Sequence, residues 1–396
     1  MSEFDLSLRI GLLTHSVNPR GGVVHTLELA TALHEAGHAV TVMAPAAPGQ
    51  TMFRTPPCRV ELVPVNGKPR DTVGMVRSRI DAFVGHLQGL LQHESFDVLH
   101  TQDSIGGNAL AQLQDAGRIA GFVRTVHHLD TFEDPQLTRW QQIAFERASL
   151  VLSGSRLWCE HLQGEYGIDV HEINNGVDTL RFSPFAEDGD APLAQRLGIA
   201  TGAPVVLAVG GIEERKNSAR LLAAFALLRA AHPRAQLVIA GGASLLDHAA
   251  YAQAFRAQMQ ALGFDEGPWQ PLRVTGPLPD ADITALYRPA DVVAMPSLRE
   301  GFGLVVLEGL ASGVPVVVSR IAPFTEYLAE TDVSWADPDD AASIAEALAH
   351  ALVTRDSQRI AASAARLSRR FSWAASAERH AALYRAHLKE KKHPCP

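Results

Sequence analysis

Short apolar runs alternate along this chain with longer segments whose apolar positions recur every three or four residues. The first run, Leu8–Thr14, ends in His15, Ser16 and a loop. Gly21-Gly22 then opens a segment with Val24, Leu27, Leu29, Ala30 and Leu33 on one face. This is a strand feeding an amphipathic helix that stops near Gly37, and His25 is expected on the helix surface. Ala39–Met43, Val60–Val65, Asp97–His100, Phe122–Val126 and Leu150–Ser153 continue the series as strands, with helical patterns between most of them. Such βα alternation predicts a parallel, doubly wound sheet.

A turn-rich stretch interrupts the series, from Asn174-Asn175-Gly176 through Asp178 and on from Phe182 to Pro192. It reads as an interdomain crossing. The alternation restarts at Val205–Val209 and runs through Gln236–Ala240, Leu272–Thr275, Asp291–Met295, Val314–Ser319 and Val333–Trp335. The pattern therefore predicts an α/β protein of two doubly wound, Rossmann-like parallel-sheet domains facing a cleft, residues 1–185 and 190–372. A last helical pattern, Trp373 to Leu388, is expected to cross back onto the first domain as a helix over 374–390.

Composition narrows the class. The chain has 396 residues, 46% hydrophobic and 20% charged, the profile of a soluble globular protein long enough for two domains. A net charge of −8 and a pI near 6.1 give no global attraction to nucleic acid, and no nucleic-acid partner is expected. Cys58, Cys159 and Cys395 are few and unpatterned, which fits a reducing, cytoplasmic compartment. Leu8–Leu13 is too short for a signal peptide's apolar core, and no apolar run reaches the ~20 residues of a membrane span. Peripheral contact with an inner membrane face stays open; only the tail around Lys389, Lys391 and Lys392 is locally basic. Of 35 basic residues five are lysines, and between Lys68 and Lys389 the only one is Lys216.

The candidate chemistry lies at strand ends. Glu300 and Glu308 stand eight positions apart in Glu300-Gly-Phe-Gly-Leu-Val-Val-Leu-Glu308, between two predicted strands. Open α/β sheets bind ligands at the carboxyl ends of their strands. Gly301 and Gly303 would let a phosphate approach backbone N–H groups at a helix start. Glu308, expected roughly two turns in among Leu304, Val305, Ala311 and Ser312, is not on a solvated face and could accept from two ribose hydroxyls.

Arg215-Lys216 follows the strand Val205–Val209 and the turn Gly210-Gly211. A lysine there can neutralise a diphosphate as a point charge, or belong to a solvated cluster at a helix start. Gly21-Gly22 is either a phosphate-facing or a plain βα turn. His127 and His128 end the strand Phe122–Val126, where a catalytic or sugar-binding imidazole would sit. Two other motifs are set aside. His34-Glu35-Ala36-Gly37-His38 matches a zinc-protease pattern, but Gly37 reads as a helix stop before His38. Asp337-Pro338-Asp339 precedes the helical pattern Ala342–Leu352 and reads as helix capping, not a metal clamp.

Gly21-Gly22, His127, Asn175-Gly176-Val177-Asp178 with Arg181-Phe182, Lys216, the run Pro296 to Glu308 and Phe371-Ser372-Trp373 together resemble the family 4 glycosyltransferases, retaining enzymes of the GT-B fold. The resemblance runs nearly end to end. It implies sugar transfer from a nucleotide-diphosphate sugar to an acceptor hydroxyl of a glycan, lipid or small molecule, without cofactor or metal. Carried over by position, Glu308 would hold the ribose and Glu300 the donor sugar. Lys216 would neutralise the diphosphate, helped by N–H groups at Phe302, Gly303 and Leu304. His127 would lie beside the sugar, Gly22 close to the phosphates, and Thr275 and Gly276 at the base pocket. Catalysis would then rest on His127, Glu300 and Lys216. Gly211 stands where the family commonly has arginine, with Arg215 as a candidate replacement, and His128 stands where Asp or Gly is common. Other readings are a nucleotide-sugar epimerase, a sugar phosphorylase, or a non-catalytic nucleotide-sugar-binding protein.

Overall fold

The computed structural model describes residues 7–67, 69–200, 202–241 and 249–392. Lys68 and Cys395, and the side chains of Lys391 and Lys392, fall outside the described residues. The chain divides into two compact units, Met1–Gly176 with Phe371–Pro396, and Val177–Arg370.

The first unit is built on strands β1 (Arg9–Leu13), β2 (Ala39–Ala46), β3 (Arg59–Pro64), β4 (Val98–Thr101), β5 (Val123–Val126), β6 (Leu150–Ser153) and β7 (Val170–Glu172). Helices α1 (Gly21–Glu35), α2 (Thr72–Leu90), α3 (Ser104–Asp115), α4 (Pro135–Glu146) and α5 (Arg156–Tyr166) connect most of them. All pairings are parallel, in the order β3-β2-β1-β4-β5-β6-β7. Every carboxyl strand end therefore faces one edge, and the order reverses between β1 and β4. That reversal is the position where such sheets open a crevice for a ligand. Asp71, Asp103 and Asp134 cap α2, α3 and α4 by accepting from backbone N–H groups, which fixes where these helices begin. One face is sealed by Phe83, Leu87, Leu110 and Phe122.

The second unit repeats the plan. It holds α6 (Asp190–Leu197), β8 (Val205–Val209), α7 (Ser218–Ala231), β9 (Gln236–Ala240), α8 (Ala249–Ala261), β10 (Leu272–Gly276), α9 (Asp280–Tyr287) and β11 (Val292–Met295). It continues with α10 (Leu304–Ala311), β12 (Val316–Ser319), α11 (Phe324–Tyr327), β13 (Ser334–Ala336), α12 (Ala341–Val353) and α13 (Ser357–Arg370). The parallel order β10-β9-β8-β11-β12-β13 reverses between β8 and β11. Phe225, Leu237, Leu272 and Leu348 lie in its core.

Helix α14 (Trp373–Lys392) returns the chain to the first unit. Trp373, Ala377, Ala381 and Tyr384 are buried at helical spacing, so one stripe of α14 packs down, with α1 among its neighbours. Gly176 meets it so closely that an added Cβ would lie 2.4 Å from the Trp373 backbone nitrogen.

Several local expectations change. His25 is buried, not on the surface, because α1 is covered by α14 as well as by the sheet. Strand β7 and helix α6 carry too little pattern to show in the sequence. The turn-rich stretch after Phe182 belongs to the second unit, where it leads into α6. Asp340, not Asp337 or Asp339, caps α12 by accepting from Ala342 N–H. Asp339 instead pairs with Arg220 at 3.0 Å. Helix α1 stops at Glu35, and buried His38 accepts from Leu8 N–H through Nδ1, so His34 and His38 share no helix face.

Candidate active site

In the second unit β8 and β11 end side by side at the reversal of strand order, and each is followed by charged residues. After β8 the chain turns through Gly210 and Gly211 to Arg215 and Lys216; after β11 it reaches Ser297 and Glu300. The two loops are tied together. Leu298 N–H donates to Arg215 carbonyl oxygen at 2.9 Å. Asn217 donates its side-chain amide to the carbonyls of Pro296 and Pro338, at 3.0 and 2.7 Å.

The result is a charge cluster around one carboxylate oxygen. Lys216 Nζ lies 2.6 Å and Arg215 Nη1 2.9 Å from Oε1 of Glu300, and Ser297 Oγ donates to the same oxygen at 3.2 Å. The Glu300 side chain is only 7% exposed. A buried carboxylate is costly unless it is paired and hydrogen-bonded, and here three donors serve it. Arg215, the candidate replacement for a cation at Gly211, is thus spent on Glu300, on Arg299 carbonyl oxygen and on Glu213 at 3.7 Å. Lys216 has three ammonium hydrogens, so one bond to Glu300 leaves two for a ligand. It lines a hollow with Gly210, Gly211, Ser218, Pro296 and Ser297.

Helix α10 begins next to Glu300. Its N-cap is Gly303, at a left-handed φ of 92°, where an added Cβ would lie 2.4 Å from Phe324 Cε1. Both conformation and space demand glycine. Among the described residues no side chain caps the helix, so the N–H groups of Leu304 and Val305 at its start suit an anion. Phe302 is pinned just before it: its ring stacks on Tyr327 at 4.9 Å, and its carbonyl accepts from Tyr327 Oη at 3.0 Å.

Because α10 starts only at Leu304, Glu308 lies little more than one turn in, not two. Its Oε2 accepts from Tyr287 Oη at 2.6 Å. Burial, and then the Glu308 charge, push the Tyr287 phenol well above its ordinary pKa, so it remains a donor. Thr275 and Gly276 end β10 on an irregular register, with Thr275 Oγ1 donating to Gly276 carbonyl oxygen at 2.8 Å.

In the first unit β1, β4 and β5 lead to His15, Gln102 and His127. His127 Nε2 contacts Gln102 Oε1 at 3.1 Å, and its ring meets His25 edge-on at 4.6 Å. Gly22 lies between His15 and His127: a Cβ there would be 3.8 Å from one ring and 3.9 Å from the other. Burial lowers the pKa of His127 well below the ordinary imidazole value, helped by Arg124, His128, His100 and His15. It is neutral at physiological pH. His128 lies 3.4 Å from Asp130 and is half-buried.

Gly22 and His127 therefore meet in the first unit, while Arg215, Lys216, Glu300, Phe302, Gly303 and Leu304 gather in the second. Glu308, with Tyr287, sits further along α10, and Thr275 and Gly276 on a strand two places from β8. Sequence reasoning missed Ser297, Asn217, Tyr287, Gln102, His100 and Tyr384. Gln102 had a signal: it follows the strand end next to that of His127.

The two units match two family models. Residues 19–181 match the Glycosyltransferase Family 4 model and residues 191–368 the Glycosyl transferases group 1 model. The phosphatidyl-myo-inositol mannosyltransferase of Mycobacterium tuberculosis is 30% identical over 396 residues, covering 95% of this chain and 96% of that protein. The D-inositol 3-phosphate glycosyltransferase of Corynebacterium glutamicum is 28% identical over 327 residues, 78% of this chain and 77% of that protein. Among solved structures, sucrose-phosphate synthase from Thermosynechococcus elongatus superposes with a TM-score of 0.77 at 21% identity, covering 96% and 98% of the two chains. HepE from Anabaena, solved with UDP and glucose, gives 0.75 at 19% identity, covering 96% and 100%. A pair of Rossmann-like units with charged strand ends is the architecture of the GT-B glycosyltransferases. This chain belongs to glycosyltransferase family 4, and it is a hexosyltransferase-type enzyme. Among the described residues no helix is long and apolar enough to cross a membrane.

Proposed function

We propose that the second unit binds a nucleotide-diphosphate sugar and that the enzyme passes the sugar to an acceptor hydroxyl with retention of anomeric configuration. The observation that carries this reading is the meeting of Lys216 and Arg215 on Glu300 beside the uncapped start of α10. One cation with spare donors and a row of helix N–H groups suit a diphosphate. Glu300 orients Lys216 and contacts hydroxyls of the donor sugar. Glu308 accepts from the ribose, and Thr275 and Gly276 border the base. His127, with Gly22 next to it, contacts the sugar.

Transfer breaks the bond from the anomeric carbon to the β-phosphate oxygen and forms the bond to the acceptor oxygen on the same face. The leaving diphosphate takes the acceptor's proton. The protein's part is positioning and stabilisation of the developing phosphate charge. No metal is required for that charge balance. The relatives named for inositol phosphate and phosphatidyl-myo-inositol put a cyclitol hydroxyl first among acceptors to test. The sparse cysteines support a cytoplasmic setting, with a lipid acceptor reached peripherally.

Thermal-shift screening against UDP-, GDP- and ADP-sugars identifies the donor, and NMR of the product made with it reads the anomeric configuration. Stabilisation by one donor and a retained product are expected. An inverted product, or a trapped covalent glycosyl-enzyme, overturns the mechanism.

A further inference from the structure

The two ring nitrogens of His127 are in different situations. Nε2 lies 3.1 Å from the amide oxygen of Gln102, whereas Nδ1 has no hydrogen-bond partner among the described residues. An amide oxygen can only accept, so the ring proton sits on Nε2 and the lone pair on Nδ1.

Gln102 is itself fixed from behind. Its amide nitrogen lies 3.1 Å from Nε2 of His100, and Thr125 Oγ1 lies 2.8 Å from that same nitrogen. The same amide nitrogen lies 3.5 Å from His100 Nδ1, so it sits over the ring face and not on an in-plane lone pair, while Nδ1 is hydrogen-bonded with Tyr384 Oη at 2.6 Å. Gln102, His100, Thr125 and Tyr384 are all buried, and Tyr384 comes from α14, the helix that returns to this unit. The electron-rich face of the His100 ring favours the amide NH2 end over the amide oxygen, which keeps Oε1 of Gln102 turned toward His127. His127 is faced by Arg124 and His128 from its own segment, by His100 from β4, by His15 from the loop after β1 and by His25 from α1. None of these brings a negative charge.

We propose that Gln102 is a positioning residue that holds His127 in its neutral, Nε2-protonated tautomer. It thereby presents the unprotonated Nδ1 as an acceptor to a hydroxyl of the bound sugar or of the acceptor, and the face of the His100 ring sets the direction of the Gln102 amide. This rests on His127 being a substrate-contacting group, as proposed above.

The tautomer is read directly by 15N NMR of histidine-labelled full-length protein, with His127→Gln identifying the His127 signals. An Nε2–H tautomer at neutral pH is expected; an Nδ1–H tautomer overturns the proposal, whatever the enzyme's activity. Gln102→Glu keeps the shape and puts a carboxylate against Nε2–H. It should raise the His127 pKa and move the acid limb of the kcat profile upward by about one to three pH units, as an opposite charge at this range does. Gln102→Ala should lower kcat about tenfold with donor KM unchanged, the worth of one ordinary hydrogen bond. An acid limb unmoved in a Gln102→Glu protein that melts and binds donor like the wild type also overturns it. Wild-type turnover in His127→Gln would instead sink the role of His127, leaving the tautomer result to stand by itself.

Discussion

Tyr287 donates its phenol hydrogen to Oε2 of Glu308 at 2.6 Å, and the Tyr287 side chain is buried. The phenol sits on α9 and the carboxylate on α10, so the bond fixes the direction of Glu308 across two elements. A carboxylate so held is pre-oriented to accept from ribose hydroxyls. Glu308→Ala should weaken nucleotide-sugar binding by roughly 10–100-fold, since a hydrogen bond to a charged group is worth about 1.5–3 kcal/mol. Tyr287→Phe should weaken it less, because the carboxylate remains. Calorimetric titration with the identified donor tests both, and unchanged affinity in Glu308→Ala removes the ribose assignment.

Lys216 and Arg215 share Glu300, and this makes their loss unequal. Lys216→Ala leaves Glu300 still bonded to Arg215 and Ser297, so the buried carboxylate is not stranded. Folding should survive while turnover falls by about 10²–10³-fold, the usual effect of removing one donor to developing transition-state charge. Denaturant unfolding beside steady-state kinetics separates the two effects. A collapse of stability in step with activity would recast Lys216 as a structural partner of Glu300.

How much of this was legible depended on how local the signal was. The strands with several consecutive apolar residues stood out, and β8, β9 and β6 fall on their sequence bounds. Strand β7 is three residues of Val170, His171 and Glu172, with no alternation to read. Glu300, Lys216 and the α10 start were visible because glycines and charges cluster at strand ends. Tyr287 was not, because its partner lies 21 positions away and nothing local marks a tyrosine in an apolar helix. His25 was misplaced for a related reason. Helical periodicity shows which face meets the sheet, but not that a helix from the far end of the chain covers the opposite face.

Asn217 combines a left-handed φ of 60° with two amide hydrogen bonds to the loops after β11 and β13. Asparagine tolerates that backbone region better than other residues with a Cβ. Asn217→Ala adds backbone strain and leaves the Pro296 and Pro338 carbonyls without this donor, and should cost about 3 kcal/mol. Asn217→Asp should be no better, since a carboxylate cannot donate. Urea unfolding provides the check, and a loss below about 0.5 kcal/mol, the range of ordinary surface substitutions, refutes the structural role.

The first unit gathers His15, His25, His100, His127 and His380 around α1, β4, β5 and α14, the first and fourth partly and the others fully buried, and desolvation lowers the pKa of each. For His15 and His380 the value falls from 6.5 to about 4. The unfolded chain takes up these protons near pH 6.5 and the folded chain only near pH 4. Between those limits the unfolded state binds more protons, so stability rises with pH and is lost as pH falls. Each histidine with such a shift adds a slope of about 1.4 kcal/mol per pH unit in that window. His380 Nδ1 bonds to Ser376 carbonyl oxygen at 2.7 Å and lies 3.4 Å from Ser376 Oγ, and Nε2 has no partner among the described residues. His380→Leu removes one titrating group while keeping the site filled. The unfolding free energy of the wild type, measured from pH 7 to pH 4.5, should fall steeply, and that of His380→Leu should fall less steeply by the share of one histidine. Parallel curves for the two proteins would mean that His380 already titrates normally in the folded state.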